Sequence, residues 1–286
     1  MIPAPRVGWI GAAVAVLLLA ASAPPETVSF PDRWTPEVGA RWSEEQRSHM
    51  TGHTRVRVGP AKVRDRADDD GVRWSAAVEV TEIEDGELSG FGLVFSEALR
   101  IEAGEQIDVG LGGAAVTGSG APKRKWRTAE GKRLRKKARD FLDEQFTVRG
   151  DEDPIQLLLP AGPVAVGEAW DMDMGVVLDL LGRDRLTLDD AQTHGRCTLE
   201  SVEERRGMRY GRIAFDVVIV PATITDGDFD EARMHVRGAI ELPLEDHPGM
   251  VLELEWDTTF KGWVKRRGVK ATIDIVHHTV VRQERR

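Results

Sequence analysis

The chain has one cysteine, one tyrosine and no asparagine in 286 residues. A lone cysteine excludes an intrachain disulfide framework. Cys197 stands in THGRCTLESV at an inward strand position, with only Arg196 as a cationic neighbour, and reads as a core residue. Without asparagine, the backbone positions that need positive φ fall to aspartate and to the 29 glycines. A basic balance is missing too. The net charge is −9 and the pI about 5.4, so the chain lacks the overall electrostatic footprint of a nucleic-acid binder, and no nucleic-acid partner is expected. Hydrophobic residues at 41% and charged ones at 30% exclude wholesale disorder.

Long apolar runs are absent with one exception, VGWIGAAVAVLLLAASA at 7–23. Arg6 precedes it, and Ala21-Ser22-Ala23 has the small-x-small form of a cleavage site, followed at once by Pro24. An export signal is expected, which places the mature chain in the periplasm or cell envelope. The alternative is an uncleaved N-terminal anchor, because the run is at the lower limit of a membrane span. No cysteine lies near the cleavage region, which removes lipoprotein attachment.

The expected organisation is a signal peptide at 1–23, a linker at 24–38, an N-terminal β half at 39–122, a basic amphipathic helix and loop at 123–150, and a C-terminal β half at 151–286. In the first half the odd positions from Arg41 to Arg57 are all polar, while Trp42, Met50, Val56 and Val58 fall on even ones. That period of two predicts a long strand, or two, with one wet face. DRADDDG at 65–71 reads as a polar turn, and Asp85-Gly86 as a hairpin. In the second half, AWDMDMGVVLDLL reads as a strand, and RCTLESVEE pairs with GMRYGRIAFDVVIVP across RRG. MVLELEWDTTFKGW and VKATIDIVHHTVV alternate cleanly, as in an antiparallel sheet with one buried face.

Segment 123–139 carries ten Lys and Arg against one acid, so the remainder of the chain holds the negative excess. A helix is predicted over 128–147, capped by Thr128, with Leu134, Ala138, Phe141, Leu142 and Gln145 as its apolar stripe. The fold class is therefore α+β, mainly β: long antiparallel meander sheets, curved or half-barrel, packed on one main amphipathic helix.

Candidate catalytic and cofactor motifs fail on spacing or context. Asp226-Gly227-Asp228-Phe229-Asp230-Glu231 lacks the glycine and distal glutamate of a calcium loop and reads as a solvated acidic turn. His49 and His53 lie four apart, but on a strand's polar face; His277 and His278 are adjacent and point to opposite faces, so neither pair chelates. All are expected to be exposed strand histidines. GLGGAA at 110–115 is not followed by a helix and fails as a dinucleotide loop. No metal, cofactor or catalytic residue is assigned.

In LLLPAGPVAVGEAW, the residues Leu159-Pro160, Pro163-Val164, Val166-Gly167 and Trp170 resemble exported bacterial domains of unknown function of the DUF6263 type. Glu168-Ala169 stands where Asp-Ser or Asp-Thr is more usual in that phrase. Val38-Gly39-Ala40-Arg41-Trp42 is a looser echo of it and suggests a duplication. The resemblance implies no enzyme and supplies no catalytic residues. A fold similar in kind to the envelope lipoprotein carriers would follow.

The leading expectation is a non-enzymatic envelope protein that binds an apolar or lipid-like ligand between sheet and helix, through Leu134, Phe141, Leu142 and Trp170. One alternative is an interaction module docking on an anionic membrane or polyanion through Lys132, Arg133, Lys136 and Lys137. The other is an extracytoplasmic hydrolase working through carboxylates that no motif singles out.

Overall fold

A computed structural model describes residues 26–31, 37–59, 62–84, 87–120, 125–146, 155, 158–174, 186–224, 227–266 and 269–286. The expected signal segment and part of the linker lie outside the described residues. After a short β1 (Thr27–Val28), a first meander runs through β2 (Arg41–Val58), β3 (Lys62–Glu84), β4 (Glu87–Glu102), β5 (Glu105–Asp108), β6 (Ala115–Ser119) and β7 (Lys125–Thr128). Helix α1 (Lys136–Gln145) and β8 (Val164–Ala165) lead to the second. Its strands are β9 (Ala169–Asp171), β10 (Leu186–Leu188), β11 (His194–Arg205), β12 (Met208–Ile219), β13 (Pro221–Ile224), β14 (Gly227–Pro243), β15 (Met250–Arg266) and β16 (Val269–Arg285). Among the described residues no helix is long and apolar enough to cross a membrane.

Twelve strands form one antiparallel sheet in the order β7-β6-β4-β3-β2-β16-β15-β14-β12-β11-β9, with β5 beside β4. The two meanders join where β16, the last strand, pairs with β2 along its length. Their outer strands β7 and β9 are the two ends of the sheet, which does not close. Pairing of β1 with β8 and of β10 with β13 makes two small accessory sheets.

Because directly opposed residues share a face, register shows which side chains stand together. One row crosses from Trp170 through Cys197, Phe215, Gly238, Leu254, Val281, Ser48 and Val72 to Arg100. Two apolar cores stand on this same face. The first gathers Trp42, Trp74, Val78, Leu93 and Phe95 of the first meander with Ala138, Phe141 and Leu142 of α1. The second gathers Cys197, Leu199, Ile213 and Ile240 with Val28, Leu158 and Val164. Phe141 and Leu142 are fully buried, a contribution of about 1.5–3 kcal/mol each.

The two V-G-x-x-W phrases build the same turn. Gly39 and Gly167 have φ of 89° and 87°, a conformation glycine adopts freely. Gly39 N donates to Val80 O at 2.9 Å and Val80 N returns to Ala40 O; Gly167 N donates to Leu199 O at 2.7 Å and Leu199 N returns to Glu168 O. In each case the turn starts the meander's first strand against its neighbour in the large sheet, β2 against β3 and β9 against β11. The unusual Glu168 uses its carboxylate to accept from Ala165 N at 2.9 Å.

Three expectations are corrected. The helix begins at Lys136 rather than 128, with Arg135 as a cap that makes no side-chain bond. Gly131 at φ 77° turns the chain back instead, so that Thr128 N donates to Lys132 O at 2.9 Å and Thr128 ends β7. DRADDDG is not a turn: 65–71 lies inside the 23-residue strand β3. Of the described part of AWDMDMGVVLDLL, 169–174, only Ala169–Asp171 is strand, and 175–181 lie outside the described residues.

A candidate ligand cleft between the central strands and the helix end

An open cleft of about 780 Å³ lies between the two cores. Its walls come from β2, β3, β4, β15 and β16, with Glu144 and Gln145 at the C-terminal end of α1. Met50, Val72, Ile101, Trp256 and Val281 supply apolar surface. Ser48, Thr258, His277 and Thr279 add polar groups, and Arg66, Asp70, Arg100 and Glu102 charge. Period-two strands cause this placement: even positions of β2, β3 and β15 and odd positions of β16 face one way.

At one end of the cleft stands a tight polar cluster. Thr54 Oγ1 donates to Asp68 Oδ2 at 2.5 Å, and His277 Nε2 is 2.9 Å from the same oxygen. Arg66 Nε sits 2.9 Å from Asp68 Oδ1, and its guanidinium also reaches Asp70. The Asp68 side chain is 6% exposed and that of His277 18%. Burial by itself would raise the Asp68 pKa, but the hydrogen bonds from Thr54 and His277 and the charges of His277 and Arg66 outweigh it and leave the group below the ordinary carboxylate value. Gly52, on β2 opposite His277, makes room for the ring: a Cβ there would stand 2.1 Å from Val276 O and 2.7 Å from His277 Cδ2.

This cluster differs from a nucleophile–base–carboxylate chain. Thr54 Oγ1 lies 2.9 Å from His277 Nε2, the same nitrogen that faces Asp68. One imidazole nitrogen cannot accept a proton from the hydroxyl while donating its own to the carboxylate. The geometry describes a positioned polar anchor.

At the other end, Arg100 is held by Glu144 at 2.6 Å and by Glu102 at 3.9 Å. Gln46 Nε2 donates to Gln145 Oε1 at 3.3 Å, tying β2 to the helix. Among the described residues no group of three or more His, Cys, Asp or Glu side chains is placed to hold a metal ion.

The residues singled out in the sequence fall elsewhere. Phe141 and Leu142 are sealed in the first core, where Leu134 packs from its edge; Trp170 belongs to the second core. The four do not converge on one site, because β9 and the α1 region occupy opposite ends of the sheet. Lys132, Arg133, Lys136 and Lys137 are exposed, Lys137 donating to Asp108 O at 2.6 Å. Cys197 is fully buried, and burial pushes its thiol up to about 12. His277 departs from the exposed histidine expected of it; His278 is 44% exposed and lies 2.8 Å from Asp257 on the opposite face. The cleft residues escaped sequence reading because 65–71 carries turn composition. Their one available signal was the polar break of His277 and Thr279 in an otherwise apolar stripe of β16.

No family model, no curated protein and no solved structure matches the chain. The family resemblance of the Leu159–Trp170 phrase therefore rests on those residues alone.

Proposed function

We propose that the protein is a non-enzymatic binding protein of the cell envelope that holds an apolar, lipid-like ligand in the cleft beside the C-terminal end of α1. The observation that carries this reading is the cleft itself. It has the volume of a small-molecule site, an apolar floor around Trp256, Met50 and Val281, and a few fixed polar groups at its rim. The ligand space expected beneath the helix is filled by Phe141 and Leu142, which moves the reading to the gap between the cores. Native mass spectrometry of protein purified from its host is expected to show a bound component of a few hundred daltons. A bare protein that also fails to take up added fatty acid or phospholipid would contradict the proposal.

A second reading has its own observation. Arg133, Arg135 and Lys136 are exposed and make no ion pair among the described residues, whereas most arginines on the central strands do. This basic shoulder suits an anionic membrane surface, at about 1 kcal/mol for each base near it. Co-sedimentation with anionic vesicles that weakens as salt rises supports docking; no sedimentation at low salt contradicts it.

A further inference from the structure

We infer that the cleft selects a cationic amphiphile: an ammonium or guanidinium head on an apolar body. This rests on the proposed ligand-binding reading and narrows it to one chemistry. Lipid-like ligands are often anionic, but the charges around this cleft favour the opposite sign.

The two guanidinium groups that line it are both spoken for. Arg66 is bonded to Asp68 and Asp70, and Arg100 to Glu144 and Glu102. Three carboxylates, Asp70, Glu102 and Glu144, line the cleft against two guanidinium groups, and the buried Asp68 behind Arg66 brings the excess to two negative charges when the His277 imidazole is neutral. Among the described residues no lysine lines the cleft. An entering carboxylate or phosphate would have to displace an existing ion pair and meet like charge; an ammonium meets attraction without breaking anything.

The remaining polar surface agrees in kind. Thr279 lines the cleft at 5% exposure, and its hydroxyl has no hydrogen-bond partner among the described residues. Leaving a buried polar group unpaired is costly, and its oxygen can accept from an N–H donor. Trp256, on the neighbouring strand, offers an aromatic surface of the type that attracts ammonium groups. Met50 and Val281 flank the apolar part of the cleft and suit a hydrocarbon body.

Three probes with one chain length separate charge from chain. Dodecylammonium, dodecanoate and dodecanol are titrated calorimetrically into the full-length protein at neutral pH, each below its micelle concentration. Dodecylammonium is expected to bind at one equivalent and tighter than dodecanoate by about tenfold or more, with dodecanol between them. The D70N/E144Q double variant should weaken dodecylammonium by about fivefold or more and dodecanol by less than about twofold. Asp257→Asn, which removes a carboxylate from the opposite face, should leave the preference within about twofold, so a general attraction of cations to an acidic protein would be recognised. Should the double variant not fold, the wild-type preference must still shrink as salt is raised. Dodecanoate binding as tightly as dodecylammonium, or D257N lowering the preference as far as D70N/E144Q, would overturn the inference while leaving the cleft a ligand site. Binding of none of the three would remove both.

Discussion

His277 and His278 are neighbours on one strand and belong to different worlds. Both face an aspartate: His277 reaches over Gly52 of β2 to Asp68 of β3 on one side of the sheet, and His278 meets Asp257 of the adjacent β15 on the other. The first pair is 18% and 6% exposed and shares its contacts with Thr54 and Arg66; the second is 44% and 51% exposed. On His278's face run further cross-strand pairs, His49 with Asp69, His53 with Asp65 and His235 with Asp216, all largely in water. Identical chemistry thus serves two purposes. Histidine–aspartate hydrogen bonds on the solvated face hold register and solubility at little energy per pair. The same pair on the face between the cores is withdrawn from water and must be fully bonded to exist at all.

Substitution of the two aspartates should break this comparison most visibly. Asp68→Ala leaves Thr54, His277 and Arg66 around an empty acceptor, and is expected to cost about 2–4 kcal/mol in thermal or urea melts. Asp257→Ala should stay within about 0.5 kcal/mol. Equal losses would mean that burial does not separate the two pairs.

Next in size is Gly52→Ala. Its Cβ would overlap Val276 O and the His277 ring, so β2 and β16 must part locally, at about 1–3 kcal/mol. Melting of the variant checks the value, and an unchanged midpoint would show that the β2–β16 backbone yields at no cost, since moving the ring alone leaves the contact with Val276 O.

The smallest effect is on pH dependence. Asp68 is held below its ordinary value, so the stability it contributes is full above the ordinary carboxylate pKa of 3.8. It is lost as the pH falls below that and gone beneath the lower folded value. The exposed Asp65, lowered by Arg55 and His53, acts with the same sign. Asp68→Asn should therefore flatten the acid limb of stability against pH. Acid limbs of equal slope in wild type and Asp68→Asn would contradict the assignment.

How much of this was legible in the sequence follows from the same two faces. Alternation in 41–58, 250–263 and 269–281 gave the long strands, because one face of each is solvated and the other is not. The opposed directions of His277 and His278 followed from the period alone. DRADDDG defeated the reading because what keeps it extended is remote. Asp65 is bonded to His53 and Arg55, Asp69 to His49, and Asp68 to a histidine 209 residues away. Local composition records a turn propensity and is silent about partners of that separation. The predicted helix start failed for a related reason. Basic residues at 132–135 carry good helix propensity, but Gly131 and the Arg127–Arg133 bridge commit that stretch to a return against β7. Of the four residues singled out for a ligand, Phe141 and Leu142 are fully buried in the first core, while Leu134 and Trp170 are partly buried and pack on different cores.

Adjacent threonines on β15 offer the most direct test of the central claim that ligand is held on the face between the cores. Thr258 lines the cleft, while Thr259 opposes Arg233 and Val276 on the other face. Native mass spectrometry of Thr258→Trp and Thr259→Trp, purified alongside wild type, compares a side chain placed in the cleft with one placed behind it. Loss of the bound component from Thr258→Trp and its retention by Thr259→Trp is the result this account predicts. Equal occupancy in the two variants would contradict it.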